Sequence, residues 1–300
     1  MTVAAACLHG PTAAALAIVA LTGLAACGDD EATTPATRKS PTTVVLRASA
    51  DARDKLVLSA PSTIAAGQVR LVLRNADTRP REAQLVRVAG SHTIDEVLAV
   101  READEGAPTP AWLRFDGGVA VVAPGRSSSV VQTLAPGTYY VIDGEKDGPA
   151  DDPKIPIHGR LGATARFVVE GSAARAELPD APATITATEY DYAITGLKRG
   201  LNRVRFVNAG RQPHHAVLFP LAKGRTIDDV ARFFGPKPPP GPPPLDVAGA
   251  RSLTAIEGGR EQIAELELRT GTYAVVCFLS DRSGGRPHVA RGQVREAIVG

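Results

Sequence analysis

The chain has 300 residues, of which 44% are apolar and 22% charged, and its formal net charge is +2. This composition is typical of a globular protein with room for two domains. Proteins that bind nucleic acids need a basic surface or aromatic rings on which bases stack. The small net charge and the aromatic content of only 4% therefore argue against a nucleic-acid partner.

Residues 1–27 are predicted to be a lipoprotein signal peptide. An Ala/Leu/Val/Ile run over 11–26 ends in the motif LAAC at 24–27. Such a run, short and closed by small residues, is typical of an export signal. The motif resembles the bacterial lipobox, which implies lipidation of Cys27 and an anchor on the outer face of the cytoplasmic membrane. No Lys or Arg precedes the run, so a different start position or an uncleaved hydrophobic tail stays open.

Residues 28–41, rich in Thr, Pro and charge, are predicted to form a flexible tether. The rest of the chain repeats itself. TIDEV at 93–97 recurs as TIDDV at 226–230, and GTY at 137–139 recurs at 271–273. The constant order and nearly constant offset predict a duplication. Its first unit is 42–171, its second unit is 183–300, and residues 172–182 form the linker.

Each unit is predicted to be mostly β-structure. Apolar and polar residues alternate at 69–73 and 204–207, as in half-buried strands, and the 29 glycines and 24 prolines along the chain favour short strands joined by turns. Thr93 and Thr226 precede acidic residues, which predicts one short helix per unit. We therefore expect an all-β fold of two tandem Greek-key β-sandwiches, each with one short helix.

A proline-rich segment follows the predicted helix of the second unit, over 236–244. Because proline cannot join a central strand, this segment is expected to be an extended surface loop. A stiff connector is the favoured interpretation, and a polyproline ligand for a partner is the alternative.

Cysteine usage restricts the chemistry of the folded part. Cys7 lies in the predicted signal and Cys27 is the predicted lipid site, so Cys277 is the single thiol that remains. A disulfide within the mature fold is excluded. Cys277 is then an inert buried side chain, a reactive thiol or a metal ligand.

The second unit contains a His, a long gap and then Cys-x10-His-x4-Gln: His214, Cys277, His288 and Gln293. Together with the flanking segments 208–214, 271–277 and 287–293, this pattern resembles the cupredoxin (blue copper) family. The resemblance implies a cupredoxin-like fold and one copper ion held by His214, Cys277 and His288. Gln293 stands at the family's axial Met position, and Met1 is the only Met in the chain.

Two imidazoles and a thiolate suit both oxidation states of copper. Taken singly, the residues have ordinary explanations: a histidine at a strand edge, or a cysteine acting as a small core residue. Of the adjacent histidines, His214 is preferred because it follows the proline and aligns with the family ligand, whereas His215 would point to the opposite face of the strand.

The first unit has Arg81, Asp143 and Ala163 where the second has His214, Cys277 and Gln293, and keeps only His158. It is therefore predicted to bind no copper and to serve as a spacer or docking surface. Arg81 and Asp143 are expected to form an ion pair where the metal would lie.

The sequence thus predicts a membrane-anchored copper protein for electron transfer, with an unidentified redox partner or copper donor. Copper sequestration or delivery, and a metal-free binding module of the cell envelope, are the alternatives. An enzyme is not expected: no Ser-His-Asp motif or phosphate loop is found, and a multicopper oxidase needs more histidines than the six present.

Overall fold

The structure, a computed structural model, describes residues 40–103, 106–149, 152–172 and 177–300. The predicted signal peptide, Cys27 and residues 28–39 of the tether lie outside these ranges. Within them, no helix is long and apolar enough to cross a membrane.

The elements of the first unit are β1 (Thr42–Ala50), β2 (Leu56–Ser59), β3 (Thr63–Ala65), β4 (Gly67–Asn75), β5 (Arg81–Val88), α1 (Ile94–Arg101), β6 (Leu113–Val122), β7 (Ser127–Leu134), β8 (Gly137–Ile142) and β9 (Thr164–Glu170). Those of the second unit are β10 (Ala183–Thr188), β11 (Asp191–Thr195), β12 (Gly200–Asn208), β13 (His214–Pro220), α2 (Ile227–Phe233), β14 (Arg251–Ile256), β15 (Glu261–Leu268), β16 (Gly271–Val276), a short 3-10 helix (His288–Arg291) and β17 (Val294–Val299).

Local sequence explains where these elements begin. The alternating segments 69–73 and 204–207 lie inside β4 and β12. Both helices begin in a capping box, in which Thr93 pairs reciprocally with Glu96, and Thr226 with Asp229. The proline-rich segment is exposed over 236–243 and contains no strand, as predicted.

The strands form two sheets. One has the order β11-β10-β12-β15-β7-β4-β1-β2, and the other β17-β16-β13-β14-β6-β5-β8-β9-β3. Equivalent strands of the two units meet in the middle of each sheet, since β7 pairs with β15 and β6 with β14. The sequence predicts two sandwiches in tandem; in the structure each sheet continues through both units.

Buried polar side chains hold this seam together. Gln84 of the first unit donates to the Ala255 carbonyl at 3.0 Å and accepts from the Ala255 N–H at 2.8 Å. Thr254 donates to the Gly118 carbonyl at 2.9 Å. Because an unpaired buried polar group costs about 1–3 kcal/mol, these bonds specify how the two units pair.

The two sheets face one another across a common hydrophobic core. One continuous cluster of buried side chains includes Leu71 of β4, Leu85 of β5, Phe206 of β12 and Leu218 of β13. The expected all-β sandwich fold, with one short α-helix in each unit, is confirmed.

An asparagine that both units share serves the fold. Asn75 donates to the carbonyls of Arg79 and Val122, and Asn208 makes the equivalent bonds to Gln212 and Ile256, at 2.7–2.9 Å. These bonds fix the turns that lead into β5 and β13.

Candidate metal centre

Three side chains of the second unit meet at the ends of adjacent elements. His214 is the first residue of β13, Cys277 follows β16, and His288 begins the 3-10 helix. Because β13 and β16 are paired, the ends that carry His214 and Cys277 lie side by side. All three side chains are completely buried.

Their ligand atoms face a common point. Nδ1 of His288 lies 3.1 Å from Nδ1 of His214 and 3.5 Å from Sγ of Cys277, and the three atoms lie within 4.8 Å of one another. A single ion with bonds of about 2.0–2.3 Å to N and S can reach all three. The three side chains converge as predicted, and the group can hold one copper ion.

Gln293 is also completely buried. Its Nε2 donates to the carbonyls of Thr188 and Asp191 at 3.1 and 3.2 Å, which fixes the amide, while its Oε1 is buried without a partner. An unpaired buried acceptor is costly, and a cation beside it would satisfy it. The donor set and this oxygen therefore fit a copper ion, which His214, Cys277 and His288 would hold and to which Gln293 could offer its Oε1.

Asp281 orients the His288 ring. Its Oδ1 lies 3.2 Å from Nε2 of His288, so a proton is favoured there and the Nδ1 lone pair is left free for a metal. Arg291 pairs with Asp281 and also bonds the Tyr190 hydroxyl, and the Tyr190 ring lies edge-on to His288. Tyr190 has a φ of 65°, a strained conformation of the kind that clusters at functional sites.

Burial sets the protonation of the metal-free ligands. Desolvation, followed by the charge of His288, lowers the pKa of His214 to about 4, and desolvation also lowers the pKa of His288. Both imidazoles are therefore neutral near pH 7. Burial raises the pKa of Cys277 to about 12, opposed by hydrogen bonds with the backbones of His215 and Leu279 and with the Tyr192 hydroxyl. A bound cation must displace that thiol proton.

His215 has a different role from His214, in agreement with the sequence-based choice between them. Its Nε2 accepts the Phe278 N–H at 2.8 Å. Asp281, Tyr190 and Tyr192 were not predicted from the sequence, because they contact the ligands only through the geometry of the loop and strands. The acidic residue within the Cys–His interval was the one signal available for Asp281.

The first unit fills the equivalent position with charged groups. Arg81 is the first residue of β5 and pairs with Asp143, which follows β8. Arg81 also binds Asp77 at 2.6 Å, and His158 lies 3.3 Å from Asp143 and 3.1 Å from Asp147. The predicted ion pair is confirmed. Among the residues that the structure describes, no metal-ligating group of three is found in the first unit.

No protein-family model matches the sequence, and no curated protein matches it either. Among solved structures, the chain is similar to a multicopper oxidase (14% identity, 86% of this chain and 88% of that chain covered, TM-score 0.24). It is also similar to the copper nitrite reductase from Nitrosomonas europaea (14%, 87% and 94%, TM-score 0.25). A third is the dithionite-reduced auracyanin from Roseiflexus castenholzii (17%, 44% and 100%, TM-score 0.28). At TM-scores this low the similarities carry no argument, and the chemistry rests on this chain's own residues.

Proposed function

We propose that the protein binds one copper ion in its second unit through His214, Cys277, His288 and Gln293, and uses it for electron transfer. The observation that carries this proposal is the buried convergence of two Nδ1 atoms and one Sγ. The buried Oε1 of Gln293, which has no hydrogen-bond partner, supports it.

When bound, copper would supply one-electron chemistry. The chain supplies the geometry: strand ends hold His214 and Cys277, and Asp281 fixes the His288 ring. Buried ligands exclude water, and ligands held on rigid elements rearrange little when the charge of the metal changes. These features favour electron transfer over the release of copper to another protein.

Repeated reduction and reoxidation of the copper-loaded protein tests the function. The visible absorption should disappear with ascorbate and return fully with ferricyanide. Loss of Cu(I) to a chelator such as bicinchoninate during the reduced phase would favour sequestration or delivery. Absence of visible absorption at the start would favour a metal-free module.

We expect Gln293 to influence the reduction potential of the bound copper. Gln293→Met should keep the visible band and raise the potential, because a thioether stabilises Cu(II) less than an amide oxygen does. A rise on the order of 60 mV corresponds to a tenfold change in the relative affinity for the two oxidation states. A redox titration measures it. His158→Ala, in the first unit, is the control. An unchanged potential in Gln293→Met would show that residue 293 does not help to hold the copper.

We also propose that Cys27 carries lipid and places the protein on the outer face of the cytoplasmic membrane, where another envelope protein exchanges electrons or copper with it. The motif at 24–27 supports this proposal. Cys27→Ser should move the protein from the membrane to the soluble fraction of a bacterial host, whereas Cys7→Ser should not. Equal membrane retention of the Cys27→Ser and Cys7→Ser proteins would contradict the anchor.

A further inference from the structure

The segment between Cys277 and His288, residues 278–287, is here called the ligand loop. It belongs to the second unit but lies against the first. The Thr109 N–H donates to the Arg282 carbonyl at 2.9 Å, and the Gly285 N–H donates to the Gly106 carbonyl at 2.8 Å. The two units are therefore joined by backbone hydrogen bonds at the ligand loop as well as along the sheets.

The side chain of Arg282 adds a second connection. Its Nη2 donates to the carbonyls of Pro110 and Leu113 at 2.7 and 2.8 Å, and its Nη1 lies 2.6 Å from Glu257. A guanidinium has a rigid fork of donors, so three such bonds fix its position and orientation. Arg282 thus ties the ligand loop to the segment of the first unit that leads into β6.

Close packing adds a third. Leu279 packs against the buried cluster that includes Leu113 and Phe115 of the first unit. A Cβ added at Gly106 would lie 2.6 Å from the Gly285 carbonyl oxygen, and one at Gly284 would lie 2.4 Å from the Gly106 carbonyl oxygen. The two backbones approach so closely that neither position has room for a side chain.

The ends of the ligand loop are coupled to the metal ligands. The His288 N–H donates to the Leu279 carbonyl at 2.8 Å, and the Val289 N–H donates to the Cys277 carbonyl at 2.7 Å. A displacement of the loop would therefore move the backbones that carry Sγ of Cys277 and Nδ1 of His288.

We infer that the first unit, which has lost the metal ligands, positions those of the second unit by holding the ligand loop, with Arg282 as the principal positioning residue. This inference rests on the proposed function, because holding the loop would serve to keep the geometry of the copper ligands constant. It assigns the first unit a role other than that of a spacer or a docking surface for a partner. Arg282 itself is not a ligand, and it acts on Cys277 and His288 through the loop that joins them.

A pair of glycine variants tests the inference. Gly106 and Gly90 both have positive φ, +83° and +79°, so alanine strains both backbones similarly, but nothing lies within 4 Å of a Cβ at Gly90. In the metal-free protein, Gly106→Ala should accelerate amide hydrogen exchange in the ligand loop by roughly tenfold, and Gly90→Ala should not. In the copper-loaded protein, only Gly106→Ala should shift or weaken the visible band.

A second pair covers the case in which Gly106→Ala does not fold. Arg282→Lys removes the fork, whereas Arg286→Lys changes an exposed residue of the same loop. Arg282→Lys should reproduce the exchange and spectral effects, and Arg286→Lys should show neither. The inference would be overturned if the two variants of a pair had equal exchange rates in the ligand loop and equal visible spectra. Failure of the wild-type protein to show a band would instead reject the proposed function, and the exchange comparison would still decide whether the first unit holds the loop.

Discussion

Cys277→Ser should abolish the intense visible absorption of the copper-loaded protein and weaken copper binding by about 100-fold or more. A neutral hydroxyl is a poor copper ligand and cannot provide the thiolate-to-copper charge transfer that gives such a band. Titration with Cu(II) of the purified protein without residues 1–27, followed by absorption spectroscopy, measures both effects.

The same variant separates a ligand from a core residue. Serine is nearly isosteric with cysteine, so the metal-free protein should stay folded and lose about 1 kcal/mol of stability through burial of the hydroxyl. His158→Ala should leave the copper band unchanged, because His158 lies in the first unit. An unaltered copper spectrum in Cys277→Ser would show that the thiol is only a core side chain.

Arg81→Met should lower the free energy of unfolding by about 3 kcal/mol, because it removes the completely buried cation that pairs with both Asp77 and Asp143. Arg79 and His158 remain beside these carboxylates and limit the loss. Arg81, Asp77 and Asp143 are almost completely inaccessible to solvent, and Arg81 binds both aspartates. Urea unfolding measures the loss.

Arg160→Met is the matched control. Arg160 pairs with Asp95 and Glu102, but its side chain is 36% exposed. Solvent screens such pairs, so this substitution should change stability little. If Arg81→Met costs no more than Arg160→Met, the charged network of the first unit does not replace the metal as a structural element.

The sequence predicted the parts of the fold that depend on local patterns. β4 and β12 follow from alternation, α1 and α2 from their threonine caps, and the Arg81–Asp143 pair from the alignment of the two units. These signals are contained within a few residues or within the repeat itself.

Contacts between distant segments could not be predicted in this way. The pairing of β6 with β14 joins two strands that each look like an ordinary sheet member. Asp281 reaches His288 only because the ligand loop folds back, and Arg282 reaches Pro110 across the two units. Loop conformation and inter-unit pairing depend on the assembled fold, which a single sequence does not encode in a local pattern.

The central claim is that the second unit holds copper through a thiolate and two imidazoles. The most direct measurement is the visible absorption spectrum of the purified soluble part during stepwise addition of Cu(II). We predict an intense charge-transfer band that grows in proportion to the added copper and stops growing at one copper per chain. The claim would be contradicted if every ratio of copper to protein gave no more than the weak absorption of copper bound without sulfur.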